Sequence, residues 1–212
     1  MPVTIKQFIN NPIPSNCFVI YDSVKKGSCI VVDPGTEDME EVRVWLLQQE
    51  LTPEYIILTH EHFDHIWGCD ALYNKYNCKI ICSKNCADAI KDSKKNLSLF
   101  YNQKGFEIKQ ECIRIEDLNY KLDWRNYAIT FFSTGGHTDA GICFTIDKYV
   151  FTGDTLIKNE KTITKLKTGS KEELLRSLNI IQKLKGNKYI ICAGHGELFE
   201  LDEYDIYEMS TK

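Results

Sequence analysis

Several common sequence features are absent from this chain of 212 residues. No apolar run approaches the length that spans a bilayer, and the N-terminus has no basic region followed by an apolar stretch. A basic excess is missing as well: the formal net charge is -4, which argues against nucleic acid as a partner. No Pro/Gly/Ser-rich linker divides the chain. We therefore predict one cytoplasmic domain, residues 1–212, that takes a small-molecule substrate and binds neither nucleic acid nor membrane.

Cysteine is present but shows no paired framework. The nine cysteines are odd in number and scattered in spacing, which indicates reduced thiols in a cytoplasm, most of them in the core. The regular series Cys78, Cys82 and Cys86 leaves an additional metal site as an alternative, provided that a helix aligns the three thiols. The composition of Lys79–Cys82 favours a strand instead.

Short apolar segments alternate with loops and a few amphipathic helices along the chain. The predicted strands are Cys17–Asp22, Ser28–Val32, Tyr55–Leu58, Cys78–Cys82, Ala128–Ser133, Gly141–Ile146, Tyr149–Thr152 and Lys188–Ala193. Capping boxes at Asp38–Glu41 and Ser170–Glu173 predict the starts of two helices. Many strands with few helices indicate sheets packed face to face, with helices on the outer faces.

The most informative segment is Thr59–His65, which follows directly on a predicted buried strand. His60 and His62 are two residues apart, so an extended backbone points both side chains to one face, where they can bind one ion together. Asp64 and His65 follow where the chain turns towards a helix, which directs them to a second point and indicates two ions. Imidazole and carboxylate suit zinc, and also iron, cobalt or manganese. The absence of cysteine from the segment argues against a closed structural zinc site.

The two remaining histidines follow predicted strands in the same way. His137 lies in a loop of small residues after one strand, and His195 lies between two glycines after another. Asp154 follows a third strand in the segment Gly153–Leu156. A Gly-Asp pair is usually only a turn, but its matching position at a strand end makes Asp154 a candidate ligand.

Together with Val31–Gly35, these motifs resemble the metallo-β-lactamase superfamily, in the same order and over nearly the whole chain. The resemblance implies an α+β fold, a four-layer αββα sandwich with a dinuclear metal site on one edge. The implied ligands are His60, His62 and His137 for the first ion, Asp64, His65 and His195 for the second, and Asp154 as the bridge between them. Asp33 is implied to steady the site, and an Asx turn before Pro34, the other interpretation of that residue, is compatible with this role.

Such a ligand set predicts hydrolysis. Two divalent ions, zinc first with iron or manganese as alternatives, lower the pKa of a shared water, so that a hydroxide bridging the metals is the nucleophile. Asp64 and Asp154 take part in catalysis by holding those ions. All five histidines are taken as ligands, which leaves none as the general base of a Ser-His-Asp or Cys-His nucleophile.

Within the superfamily, the chain resembles glyoxalase II, which hydrolyses thioesters of glutathione. It departs from that pattern at Gly135–Gly141, at Ile157–Thr162 and after Gly196, and we expect no separate C-terminal substrate domain. We therefore predict hydrolysis of a small thioester or ester. The resemblance implies that β-lactamases generally lack a bridging aspartate at the position of Asp154, so β-lactams are not expected substrates.

Two other functions stay open at this point. One is a persulfide dioxygenase with a single iron, which resembles glyoxalase II closely. The other is a metal-binding module without turnover. Substrate shape depends on loops: Lys91–Gln110 is either a flap over the metals or, as we expect, packs its aromatic residues against the sandwich. Lys165 and Lys167 either attract an anionic substrate or are simply solvated.

Overall fold

The apolar runs form strands in the structure, a computed structural model that describes residues 2–116 and 120–207. The strands are β1 (Thr4–Ile9), β2 (Asn16–Tyr21), β3 (Gly27–Val32), β4 (Leu51–Ile57), β5 (Lys79–Ser83), β6 (Cys112–Ile115), β7 (Lys121–Trp124), β8 (Tyr127–Ser133), β9 (Ile142–Ile146), β10 (Tyr149–Gly153), β11 (Ile190–Ala193) and β12 (Phe199–Glu200). The helices are α1 (Glu40–Gln49), α2 (Phe63–Ile66), α3 (Cys69–Tyr76), α4 (Lys84–Ala89), α5 (Ser98–Asn102) and α6 (Lys171–Gln182). Every predicted strand overlaps one of these, whereas β1, β6, β7 and β12 were not predicted.

The chain divides into two compact units, and the N-terminal unit ends at Ile115. Its six-stranded sheet has the order β1-β2-β3-β4-β5-β6. The four strands β3, β4, β5 and β6 are parallel to one another, so the carboxyl ends of β3 and β4 lie at the same edge. Asp33 follows β3 and the Thr59–His65 segment follows β4. The sheet therefore brings the two predicted motifs to one place.

The capping box predicted at Asp38 is wrong. Asp38 Oδ1 accepts a hydrogen bond from the backbone N–H of Glu40 at 3.0 Å, which closes a short turn and does not reach Glu41. The residue before α1 is Met39, which has a left-handed φ of 51° and provides no side-chain cap. Its side chain is only 1% exposed, and burying it takes precedence over a capped helix start.

The C-terminal unit begins at Glu116, and its six-stranded sheet has the order β12-β11-β10-β9-β8-β7. Since β9 is antiparallel to both β8 and β10, and β11 is parallel to β10, three strands run in one direction. His137, Asp154 and His195 follow these strands, β8, β10 and β11, and so lie at the same edge of the sheet. The topology assembles ligands that are distant in sequence.

Helix α6 begins as the sequence predicts. Ser170 Oγ accepts a hydrogen bond from the backbone N–H of Glu173 at 3.3 Å. The predicted apolar stripe of Leu174, Leu178 and Ile181 is buried in the core of the C-terminal unit, with Leu184 packed against it. None of the helices within residues 2–116 and 120–207 has the length and hydropathy needed to cross a bilayer.

The predicted use of cysteine in the core is confirmed. Eight of the nine cysteines are buried, Cys112 is half-buried, and all nine are free thiols. Cys82 lies in strand β5, so no helix aligns the regular series. Burial raises the pKa of the Cys78 and Cys86 thiols to about 11, which keeps them protonated at neutral pH. Among the described residues, no cysteine belongs to a group spaced to hold a metal.

Candidate metal centre

A pair of buried imidazoles follows the carboxyl end of β4. His60 Nε2 lies 3.2 Å from His62 Nδ1. Two nitrogen ligands of one tetrahedral zinc ion, each at its usual bond length, lie roughly 3.4 Å apart. The structure therefore brings these two predicted ligands together at the spacing that a shared ion requires.

Asp64 and His65 form a second pair in the first turn of α2. Asp64 Oδ2 lies 3.5 Å from His65 Nε2, again close to the separation of two ligands on one ion. The His65 side chain is fully buried, and that of Asp64 is 12% exposed. The His65 ring lies 4.3 Å from the His60 ring, centroid to centroid, so the two pairs are close neighbours.

Asp33 fixes the tautomer of His65. Its Oδ2 lies 3.1 Å from His65 Nδ1 and accepts the Thr59 hydroxyl at 2.6 Å, while its Oδ1 accepts the Thr59 backbone N–H at 2.8 Å. A carboxylate only accepts, so the His65 proton resides on Nδ1 and the Nε2 lone pair is left for a metal. Both oxygens are thus engaged by Thr59 and His65.

The same network orients His60. Because Thr59 donates its hydroxyl proton to Asp33, its Oγ1 acts as acceptor towards His60 Nδ1, 3.1 Å away. His60 Nε2 then carries the lone pair that faces His62 Nδ1. One carboxylate therefore sets the ligand atom of two histidines.

Two residues that the sequence did not single out support this segment. Asn10 Nδ2 donates to the Asp33 carbonyl at 3.1 Å and to Ser15 Oγ at 2.9 Å, and Ser15 Oγ donates to the Asp64 carbonyl. Gly35 packs directly on the same carbonyl, since a Cβ there would lie 1.6 Å from Asp64 O. No ligand type marks Asn10 or Ser15 in the sequence, so only the fold identifies them.

In the C-terminal unit, one carboxylate oxygen lies equally far from two imidazoles. Asp154 Oδ2 is 3.5 Å from His137 Nε2 and 3.5 Å from His195 Nε2. His137 donates its Nδ1 proton to the Ile163 carbonyl at 2.8 Å, which leaves Nε2 as its ligand atom. These distances are close to the separation of two ligands on one ion, so Asp154 could share an ion with either imidazole.

Hydrogen bonds between the loops hold these three residues together. The Gly194 N–H donates to the Gly153 carbonyl at 2.8 Å, and the Thr155 hydroxyl donates to the Thr134 carbonyl at 3.3 Å. Gly136 has a φ of 134°, and a Cβ there would lie 2.4 Å from the backbone of Leu174, so only glycine lets this loop pack against α6. The loop carrying His137 is thereby tied to the helix.

A cavity of about 230 Å³ opens at the C-terminal ligands. It is lined by His137, Asp154 and His195 together with Ile157, Glu160, Lys161 and Ile163. The side chains of His137, Asp154 and His195 are 9%, 11% and 21% exposed. A small molecule can therefore reach the ligand atoms of this unit.

Two of the three aromatic residues of segment 91–110 stack on rings in α2 or directly after it. Tyr101 stacks on Phe63 with ring centroids 4.8 Å apart, and Phe106 stacks on Trp67 at 5.2 Å. Phe100, in contrast, is 72% exposed. Two of the three aromatics serve packing within the N-terminal unit.

Comparisons with known proteins bear on both the fold and the ligands. The family model described as "Metallo-beta-lactamase superfamily" matches residues 10–195. The probable polyketide biosynthesis zinc-dependent hydrolase PksB of Bacillus subtilis is 27% identical over 179 residues, covering 84% of this chain and 72% of that protein. Hydroxyacylglutathione hydrolase of Enterobacter sp. is 29% identical over 169 residues, covering 79% of this chain and 57% of that enzyme.

A solved structure has the same fold over the full length. The crystal structure of BLEG-1, a B3 metallo-beta-lactamase, matches with a TM-score of 0.89 and 27% identity, covering 99% of this chain and 100% of that chain. This likeness confirms the fold class predicted from the sequence.

Proposed function

The chain belongs to the metallo-beta-lactamase superfamily, and on that premise we propose that it is a dinuclear metal-dependent hydrolase of thioesters or esters. The observation that carries the proposal is the position of Asp154 Oδ2, 3.5 Å from both His137 Nε2 and His195 Nε2. One oxygen so placed suits a ligand shared by two ions. Family membership and the hydrolase relatives support metal-dependent hydrolysis in general.

The proposed ligand set combines the groups of both units. His60, His62 and His137 hold one ion, Asp64, His65 and His195 hold the other, and Asp154 bridges them. Imidazole and carboxylate donors favour zinc, and a relative is named as zinc-dependent. When bound, two such ions make water nucleophilic at neutral pH and polarise the scissile carbonyl.

The remaining contributions come from the chain itself. Asp33 keeps the His65 proton on Nδ1, and the Ile163 carbonyl does the same for His137, so that each imidazole presents Nε2. Asp64 and Asp154 supply two negative charges against the charge of two dications. Burial of His60, His62 and His65 excludes water that would otherwise compete for the ligand atoms.

The substrate class rests on resemblance and on a relative. Hydroxyacylglutathione hydrolase, by its name a thioesterase of a glutathione conjugate, supports a thioester, although this chain covers only 57% of that enzyme. We propose a small-molecule substrate, neither nucleic acid nor membrane as a partner, and a cytoplasmic setting because all nine cysteines are free thiols.

Hydrolysis of β-lactams is the second candidate, favoured by the likeness to BLEG-1 at 27% identity over the full length.

Purified protein should be assayed on thioesters, esters, lactones, phosphodiesters and a chromogenic cephalosporin, with its metal content measured on the same sample. We expect two zinc ions per chain and turnover of a thioester or ester well above that of the cephalosporin.

Each alternative gives a different result in that experiment. Faster turnover of the cephalosporin would assign the β-lactamase function. One iron per chain with oxygen uptake would assign the persulfide dioxygenase. Metal binding that His62→Ala and Asp154→Ala abolish, without wild-type turnover of any substrate, would assign the non-enzymatic module.

A further inference from the structure

A second, larger cavity lies within the C-terminal unit. Its volume is about 470 Å³, within the roughly 300–1,000 Å³ that is common for small-molecule sites. The lining is mainly aliphatic and comes from helix α6, the segment after β10 and the last described residues: Leu156, Ile163, Leu174, Leu175, Leu178 and Ile206. None of the seven proposed metal ligands lines this cavity, so it is distinct from the proposed metal site.

This cavity is adjacent to the smaller one at the candidate metal ligands. Ile157, Glu160, Lys161 and Ile163 line both. A single molecule can therefore place a reacting group beside Asp154 and extend over Ile157 and Ile163 towards α6. The arrangement is that of a reaction centre with an attached apolar pocket.

Two aliphatic side chains in the cavity are left open to water. Ile163 is 59% exposed and Leu175 is 37% exposed, although they belong to different segments that line the same space. Covering such side chains is favourable in proportion to the apolar area that leaves water. An aliphatic group that fills the cavity would cover both.

The rim of the cavity is cationic. Lys161, Lys165 and Lys171 line it, against the single carboxylate of Glu160. Within residues 2–116 and 120–207, these three lysines form no ion pair with the protein. An anionic group on the ligand would meet them at the mouth of an apolar space.

We propose that this cavity binds the aliphatic chain of an anionic acyl compound, with its negative charge held by the rim lysines. The claim that this compound is the substrate rests on the proposed hydrolase function. The claim that it binds in the cavity does not. The proposal narrows the substrate class from thioesters or esters in general to those with a medium-length aliphatic acyl group.

Binding can be measured without turnover. In calorimetric titrations with butanoate, hexanoate and octanoate, affinity should rise about four-fold for each methylene that enters the cavity. Octan-1-ol, which has the same chain without the charge, should bind more weakly than octanoate. Affinity that does not change with chain length would overturn the proposal.

Matched variants separate the cavity from the rest of the surface. Leu175→Glu places a charge in the cavity and should weaken octanoate at least tenfold, whereas Leu47→Glu, at a leucine of α1 that is 79% exposed and lies outside the lining, should not. Lys165→Glu should weaken octanoate but not octan-1-ol, and Lys167→Glu, outside the lining, should change neither. Equal effects of a variant and its control would contradict the assignment.

A kinetic series distinguishes this inference from the function on which it rests. With N-acetylcysteamine thioesters from acetyl to octanoyl, kcat/KM should rise with chain length in the wild type and stay flat in Leu175→Glu. Octanoate binding with the predicted pattern, but no thioester turnover, would contradict the hydrolase function and support the binding of aliphatic chains in the cavity. Turnover that is independent of chain length, together with no octanoate binding, would contradict the binding of aliphatic chains in the cavity and support the hydrolase function.

Discussion

The two units prepare their metal ligands in different ways. In the N-terminal unit, four candidate ligands lie between His60 and His65, and a buried aspartate, Asp33, orients two of them through side-chain hydrogen bonds. In the C-terminal unit, each ligand follows a different strand, and the partner of His137 is a backbone carbonyl. The first group depends on side-chain identity, whereas the second depends on sheet topology and loop position.

Exposure follows the same division. His65 is fully buried and Asp64 is 12% exposed, while His137, Asp154 and His195 are 9%, 11% and 21% exposed, so that the clearest difference is between His65 and His195. Among the candidate ligands, those of the C-terminal group line the cavity of about 230 Å³. We infer that the first group mainly secures the metals and the second also meets the substrate.

The largest effect is expected from Asp154→Ala, which breaks the C-terminal group at its centre. It removes the oxygen that lies beside both His137 and His195. Activity should fall about 10³-fold or more, because a catalytic metal contributes several kcal/mol to the transition state. Metal content per chain and kcat measured on the same preparation test this.

The control for this variant is Asp123→Ala, at an exposed aspartate of β7 in the same unit. This variant should leave the metal content per chain and kcat unchanged. If Asp154→Ala retained two ions, its carboxylate would not bridge them. The central role of Asp154 in the C-terminal group would then be contradicted.

A smaller effect is expected from Asp33→Asn, which breaks the orienting network of the N-terminal group while keeping its shape. An amide donates through its nitrogen, so one of the three hydrogen bonds from Thr59 and His65 is lost. Substitutions of this kind typically lower metal affinity or activity about 10- to 100-fold. Zinc affinity from competition with a chelator measures the change.

Asp22→Asn is its matched control, a buried aspartate of the same unit that accepts the backbone N–H groups of Val24 and Lys25. It should alter stability more than zinc affinity. If the two variants lowered zinc affinity equally, the effect of Asp33 would be structural and not a matter of orienting His65.

The candidate ligands could be selected from the sequence because each is a chemically distinctive residue that follows an apolar strand. The strands that escaped prediction, β1, β6, β7 and β12, are the outermost strands of the two sheets. An edge strand has one neighbour and is half solvated, so segments such as Lys121–Trp124 mix charged and apolar residues and lose the pattern of a central strand.

The supporting contacts were not predictable, for a different reason. The Ile163 carbonyl that orients His137 carries no residue-type signal, since every residue has a carbonyl. Asn10 and Ser15 are ordinary polar residues until the fold places them beside Asp33 and Asp64. The cavity against α6 likewise depends on the path of the segment after β10 and not on its composition.

The smallest effect is expected from Thr162→Val, which tests whether loop position sets the C-terminal group. The Thr162 hydroxyl shares its proton between the carbonyls of Asp154 and Thr155, at 3.0 and 3.2 Å, and so anchors the segment that carries the Ile163 carbonyl. Losing this hydrogen bond, worth roughly 1 kcal/mol, should lower kcat/KM about five-fold. Zinc affinity should fall less than in Asp33→Asn, because the N-terminal group keeps its own support.

Thr162→Ser should restore the wild-type value, since it keeps the hydroxyl, and Thr168→Val at an exposed threonine controls for the substitution itself. If Thr162→Val matched Thr168→Val, the backbone alone would hold Ile163 in place. The two groups would then differ only in exposure and not in how their ligands are oriented. If Thr162→Val instead lowered kcat/KM five-fold and Thr162→Ser restored it, the Thr162 hydroxyl would be the group that holds the Ile163 carbonyl against His137. No sequence motif predicts such a contact.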